Sequence, residues 1–406
     1  VIEPIRHPLS LRFASAIERW LRERGLELVP IDPDKWIRQA KRLSGLDDLG
    51  LDAQGEEGLQ ALAQAARAST ELSLVGRMAL QQQVVRALST RLRRRALEAA
   101  DPARFQAPLN RPLIVVGLPR SGTTALHRLL AQVEDAHALP FWQLRNPYAP
   151  THGPDRRRAE LLRDLKRIKR LAPELDRKHF LDADEPEECL MLFDETFVSL
   201  TFWVLMPVWG HLDWLLRQDT AEAYRVYRRH LQHFQHAVPE HRLVLKAPAH
   251  TPFLGELLDA VPEACIVQTH RDPVAVCLSV NSLFYTMHSV TSQQVDVPRM
   301  AARNLDMLAE LSQRNMAARD RLPPGRVFDV QYDELCRDPL GTVQAIHDAF
   351  GLPLSQASQA RLRAHTQARP KNRFGSHPTS AEELGLDPDQ IRARFAGYID
   401  QYLSAG

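Results

Sequence analysis

The chain has 406 residues, 44% hydrophobic and 25% charged, with a formal net charge of +2. That length exceeds a typical single domain and buries a core without disulfide staples, and the near balance of basic and acidic residues excludes a general nucleic-acid binder. The four cysteines, Cys189, Cys265, Cys277 and Cys336, form no CxxC pair and no zinc framework, which favours a reducing, cytoplasmic setting. Charged residues from Glu3 to Glu18 break any apolar leader. The most apolar stretch, residues 197–209, is too short to cross a bilayer and contains Pro207, so no membrane span is expected.

Residues 9 to about 105 read as helical. Leu11, Ala14, Ile17, Leu21 and Leu26 fall near helical spacing, and residues 59–100 are rich in Ala, Leu, Gln and Arg with almost no breakers. Residues 45–58 are a polar, glycine-bearing interruption between helices. Pro108 and Pro112 close this part, giving a helical N-terminal region over 1–108 and a second unit over 109–406. Short apolar runs follow at 113–117, 243–245 and 265–267, each bounded by turn residues and leading into a helix. A fourth, 327–332, precedes a helix over 340–350. Such alternation predicts an α/β fold, an open parallel sheet flanked by helices, with ligands at the carboxyl ends of its strands.

The residues Gly117-Leu-Pro-Arg-Ser-Gly-Thr-Thr124 follow the first strand and open a helix. Glycines let a backbone curl around an anion, successive N–H groups point inward, and the helix dipole adds positive potential. Ser121 and Gly122 lie in the curl, Thr123 and Thr124 add hydroxyls, and Arg120 adds a charged fork. A nucleotide-triphosphatase P-loop needs Lys before Ser or Thr, the hydroxyl being on magnesium. Here Thr123 follows Gly122 and the basic residue comes earlier, which favours metal-free transfer from a phosphate-bearing donor.

This loop resembles the 5'-phosphosulfate loop of sulfotransferases that use 3'-phosphoadenosine 5'-phosphosulfate (PAPS). A second signature resembling the family is Arg271-Asp-Pro-Val-Ala-Val-Cys-Leu-Ser279. Asp272 suits an N-cap and Pro273 a first helical position, and Ser279 returns to the cap's face two turns later. The resemblance implies that Arg271 and Ser279 bind the 3'-phosphate. Leu245-Lys-Ala-Pro-Ala-His250, Tyr332-Asp-Glu-Leu335 and the tail from Arg373 extend the likeness over roughly residues 110–400, toward the bacterial and Golgi, tyrosylprotein-like branch. It implies a P-loop-type sheet, PAPS as sulfuryl donor, no metal, and Lys371 and Arg373 as further contacts to the 3'-phosphate.

Sulfuryl transfer, like phosphoryl transfer, is an in-line displacement governed by positioning and charge stabilisation. Arg120 and Lys246 are expected to meet charge on the leaving group. His250, four residues after Lys246, is the first choice for general base, although in cytosolic relatives the histidine stands closer to the lysine. The acidic run at 182–188 is the rival. Its plain reading is a helix N-terminus; its functional one makes Glu187 or Glu188 the base or the group that orients His250. Gln143 stands where tyrosylprotein sulfotransferases carry a glutamate, and an amide takes no proton at neutral pH.

Phe193, Phe197, Phe202, Trp203, Trp209 and Trp214 crowd into a short segment, as core or as the wall of a pocket for a hydrophobic alcohol, phenol or lipid. The basic helix over 156–171 reads as a solvated face, with contact to an anionic acceptor as the alternative. A small-molecule acceptor is expected, with no nucleic-acid partner, and a homodimer is compatible. Two other readings stay open: a nucleotide-binding protein of this fold without transferase activity, and a P-loop kinase-like enzyme.

Overall fold

The computed structural model describes residues 9–171, 181–368 and 380–403. Its centre is a parallel sheet of β1 (Leu113–Gly117), β2 (Ala136–Ala138), β3 (Arg242–Lys246), β4 (Cys265–His270) and β5 (Val327–Gln331), in the order β2-β3-β1-β4-β5. Every residue of β1, β3 and β4 is buried. This matches the unbroken apolar runs from which these strands are legible. The edge strand β2 is not legible, because Ala-His-Ala carries no strand pattern and exists by pairing with Arg242–Val244.

After β1 the chain runs out to β2 at the edge, returns through β3 beside β1, then crosses to β4 on β1's other side. The strand order therefore reverses at β1. A crevice opens at such a switch point, outside the carboxyl ends of the strands. Gly117, Lys246 and His270 end the three strands that meet there.

Four helices precede the sheet: α1 (Leu9–Arg22), α2 (Pro33–Ser44), α3 (Ala53–Ala68) and α4 (Leu74–Ala100). Asp32, Asp52 and Ser73 cap α2, α3 and α4 by accepting from backbone N–H groups of their first turns. The interruption ends at Asp52 rather than at residue 58, and Gly58 lies inside α3. It is glycine for close approach: a Cβ there would come within 2.7 Å of the Trp214 ring. The core of these helices is completed by Phe197, Phe202, Met206 and Val208, so the N-terminal helices share their core with the later chain.

The helix Pro273–Thr291 is long and apolar enough to cross a membrane by length and composition alone. That is longer than the 197–209 stretch singled out in the sequence. Here Val276, Cys277, Val280 and Phe284 pack it into the central core.

Candidate active site

At the end of β1 the backbone takes three left-handed turns, with φ of 133° at Gly117, 67° at Arg120 and 93° at Gly122. The helix Thr123–Leu130 starts directly after them. A Cβ on Gly117 would lie 2.5 Å from the Thr269 carbonyl, and one on Gly122 2.9 Å from the Tyr332 ring. The curl is therefore available only to glycine at those two places, and it leaves a concave backbone at a helix N-terminus. Thr251 fastens the curl to β3's end: its hydroxyl donates to the Gly117 carbonyl and accepts from the Gly117 N–H, both at 2.9 Å.

Thr123 and Thr124 line the crevice beside Arg120 and Gly122. Ser121 does not. Its hydroxyl donates to Leu118 O at 2.5 Å and meets Thr269 Oγ1 at 2.6 Å, while its N–H goes to Leu118 O at 3.2 Å. Expected as a donor contact, it instead stitches the loop to β4.

The second signature folds as its residues suggest. Asp272 accepts from the N–H groups of Val274 and Ala275, and Pro273 begins the helix that carries Ser279. Ser279 and Arg271 meet through the first loop rather than directly. Arg120 Nε donates to Ser279 Oγ at 3.0 Å, and Arg271 Nη1 donates to Arg120 O at 2.7 Å. The Arg271 guanidinium also lies 4.2 Å from the Tyr332 ring centre. Burial and neighbouring Arg271 lower the pKa of Arg120 below the usual guanidinium value, while the Glu188 carboxylate favours its charge. Lys371 and Arg373 lie outside the described residues.

Lys246 ends β3 fully buried, and its ammonium contacts Glu188 Oε1 at 2.7 Å and Glu187 Oε1 at 3.8 Å. The acidic run is no helix: it bends at 183–185, where the Asp184 N–H donates to Asp182 Oδ1, is bridged at Pro186 to Pro140, and a 3-10 helix (Cys189–Thr196) follows it. Helix initiation thus describes where the run ends, but Glu188 caps nothing with its side chain. Its carboxylate and that of Glu187 line the crevice over Lys246. Lys246 itself lies beneath them and holds the carboxylate, in place of the expected direct contact with a leaving group.

The structure contradicts the choice of His250 as base. Pro248 starts a short 3-10 turn in which Ala249 and Thr251 face the large cavity while His250 turns the other way. Its Nδ1 pairs with Tyr224 Oη at 3.0 Å and its Nε2 with Cys189 Sγ at 3.3 Å. Burial alone pushes the ring down to about 3. A ring with both nitrogens engaged inside an aromatic nest is structural.

The crevice continues into a cavity of about 960 Å³. Beyond the donor end its wall is largely apolar, with Met78 of α4, Met191, Trp203, Phe284 and Met287 among its residues, and it also carries Arg86, Arg145, Asp164, Arg167 and Arg170. Of the aromatic run, Phe197 and Phe202 belong to the core of the N-terminal helices, Phe193 and Trp214 to the central core, and Trp203 reaches the cavity. Two contributors escaped the sequence reading. The helix Arg157–Leu171 turns Leu165 and Ile168 into the cavity, and α4 presents Val75, Met78, Gln82 and Arg86 along one face. Their helical spacing was the available signal.

Residues 112–356, more than half of the chain, match the family described as "Sulfotransferase family". The omega-hydroxy-beta-dihydromenaquinone-9 sulfotransferase Stf3 of Mycobacterium tuberculosis, and that of Mycobacterium bovis, are 24% identical over 308 residues, 72% of this chain and 74% of theirs. Among solved structures, sulfotransferase STF1 from Mycobacterium tuberculosis is 31% identical, with a TM-score of 0.78 over 90% of this chain and 98% of its own. Sulfotransferase STF9 from Mycobacterium avium is 28% identical, with a TM-score of 0.82 over 91% of this chain and 96% of its own.

Proposed function

The chain belongs to the sulfotransferase family, and from that membership we propose that it moves a sulfuryl group from PAPS onto a hydroxyl, or an amine, of a hydrophobic small molecule. One observation carries the reading. Two anion-directed signatures, interlocked through Arg120, stand beside a Lys246–Glu188 pair at the mouth of an apolar cavity. The curled loop, which only glycine permits at Gly117 and Gly122, with Arg120 in it and Arg271 bonded to it, fits a donor bearing two separate phosphates. The loop amides, Arg120, Thr123 and Thr124 would hold the 5' side, and Arg271 and Ser279, tied to the loop through Arg120, the 3' side. When bound, PAPS supplies a sulfuryl group on a phosphate leaving group.

The chain's own residues then have separable roles. Glu188, in the cavity wall, takes the acceptor's proton as general base. Lys246 fixes that carboxylate from beneath, which makes it a positioning residue. Arg120 offers preorganised positive charge where negative charge develops. The apolar wall takes the body of the acceptor. Relatives named for an omega-hydroxy-dihydromenaquinone support a large apolar alcohol as the acceptor class.

Isothermal titration with adenosine 3',5'-bisphosphate, against ATP with magnesium, tests the donor. Preference for the bisphosphate is expected; preference for ATP favours a kinase-like enzyme and sinks the assignment. Labelled PAPS offered with phenols, sterols and long-chain alcohols tests the transfer. Label on none of them, with the bisphosphate bound, would favour a nucleotide-binding protein.

A further inference from the structure

Away from the donor loop the cavity is lined by charges that the proposed reaction does not use: Arg86, Arg170, and Arg145 and Arg167 paired with Asp164. Arg86 lies on the α4 face that lines the cavity, one turn beyond Gln83. It is half-buried, and among the described residues no acceptor or carboxylate lies within bonding distance of its guanidinium. The two acidic groups nearby are committed elsewhere. Asp164 is bound by Arg145 at 2.7 Å and by Arg167 at 3.4 Å. Asp194 accepts from Gln83 and from Ser199 Oγ, and burial raises its pKa to about 6, which weakens it as a counter-ion. Burial and the charge of Arg145 lower Arg86 to about 9. A guanidinium that opens on the cavity with no bonded partner among the described residues keeps its donors available for an anion, which a charge-assisted hydrogen bond would hold.

The 3-10 helix Cys189–Thr196 gives the spacing. Glu188 precedes it and Asp194, tied to α4 through Gln83, lies near its end. Six residues at about 2 Å of rise separate the two by about 12 Å. Between them the wall is apolar, Met191 being one of its members. We propose that Arg86 receives an oxyanion on the acceptor, so that the site takes an elongated molecule with a hydroxyl at one end, an apolar middle and a carboxylate or phosphate at the other. This rests on the acceptor reading above.

Affinities of the full chain for 12-hydroxydodecanoate, 12-hydroxydodecyl phosphate and 1-dodecanol, measured by titration without donor, test it. At least one anion should bind about tenfold to a hundredfold more tightly than the alcohol, as charge-assisted hydrogen bonds allow. Which anion gains more separates a carboxylate from a phosphate ligand. Arg86→Gln should erase the preference, Arg86→Lys should retain part of it, and neither should lower the melting temperature, because no internal partner is lost. Equal binding of the anions and the alcohol by the native chain would overturn the proposal. So would a preference that survives in Arg86→Gln, or equal loss of all three ligands. Binding is read without turnover, so failure of labelled PAPS to transfer would count against the sulfotransfer reading and leave this one standing.

Discussion

The two ends of the cavity are built on different principles. The donor end is made of backbone: left-handed turns at Gly117, Arg120 and Gly122, a helix N-terminus, and hydrogen bonds that lock Ser121 and Thr251 under the loop. The acceptor end is made of side chains from α4, the helix Arg157–Leu171, the segment from Met191 to Met206 and the helix Pro273–Thr291. A site built from backbone tolerates little change and recognises one donor. A wall of apolar side chains can be re-cut for another acceptor without touching the loop.

Substitutions at the two ends should therefore separate in kind. Arg120→Gln strikes both phosphate signatures at once and should lower transfer about 100- to 1,000-fold, the scale for losing one preorganised charged donor. An unchanged rate would remove Arg120 from the donor end. Arg271→Gln should weaken adenosine 3',5'-bisphosphate about tenfold to a hundredfold, read by titration, with acceptor affinity unaffected. At the other end, Met287→Ala should raise KM for an apolar acceptor about tenfold while leaving bisphosphate affinity alone. Loss of bisphosphate binding there would mean that the two ends are one unit.

Acid should loosen both halves, and more gently. Burial holds His250 down to about 3 and His127, His211 and His288 down to about 4, against an ordinary 6.5. As pH falls through 6.5 the unfolded chain takes up these protons and the folded chain does not. Their contribution to stability is therefore full above that value and drains as pH falls toward 4. Each ring contributes about 1.4 kcal/mol per pH unit in that window. His211 and His288 bind carbonyls of Phe197 and Trp203 behind the acceptor wall. Melting temperature should drop between pH 7.5 and 5.5, and amide exchange should rise both around 197–211 and 284–291 and around the helix Thr123–Leu130 that carries His127.

The same contrast explains what the sequence made legible. The strands β1, β3 and β4 and the loop between Gly117 and Thr124 are local, so pattern and glycine spacing reveal them. Asp272 and Pro273 likewise mark their helix start within a few residues. The contacts that decide chemistry are remote: Glu188 meets Lys246 across 58 residues and Arg120 meets Ser279 across 159. His250 misled because closeness in sequence to Lys246 says nothing about direction, and the turn at Pro248 sends its ring away from the cavity. Ser121 misled similarly, since a hydroxyl in an anion loop can brace the loop instead of facing its ligand. The acceptor wall stayed hidden because α4 closes it from a part of the chain that reads as plain helix.

The central claim is that Glu188, held by Lys246, is the base of a sulfuryl transfer from PAPS. Single-turnover transfer from labelled PAPS by Glu188→Gln, with bisphosphate affinity measured on the same preparation, tests it most directly. The account predicts a loss of transfer of about 100- to 10,000-fold with donor affinity retained within a few-fold. Transfer at the native rate in that variant would contradict it.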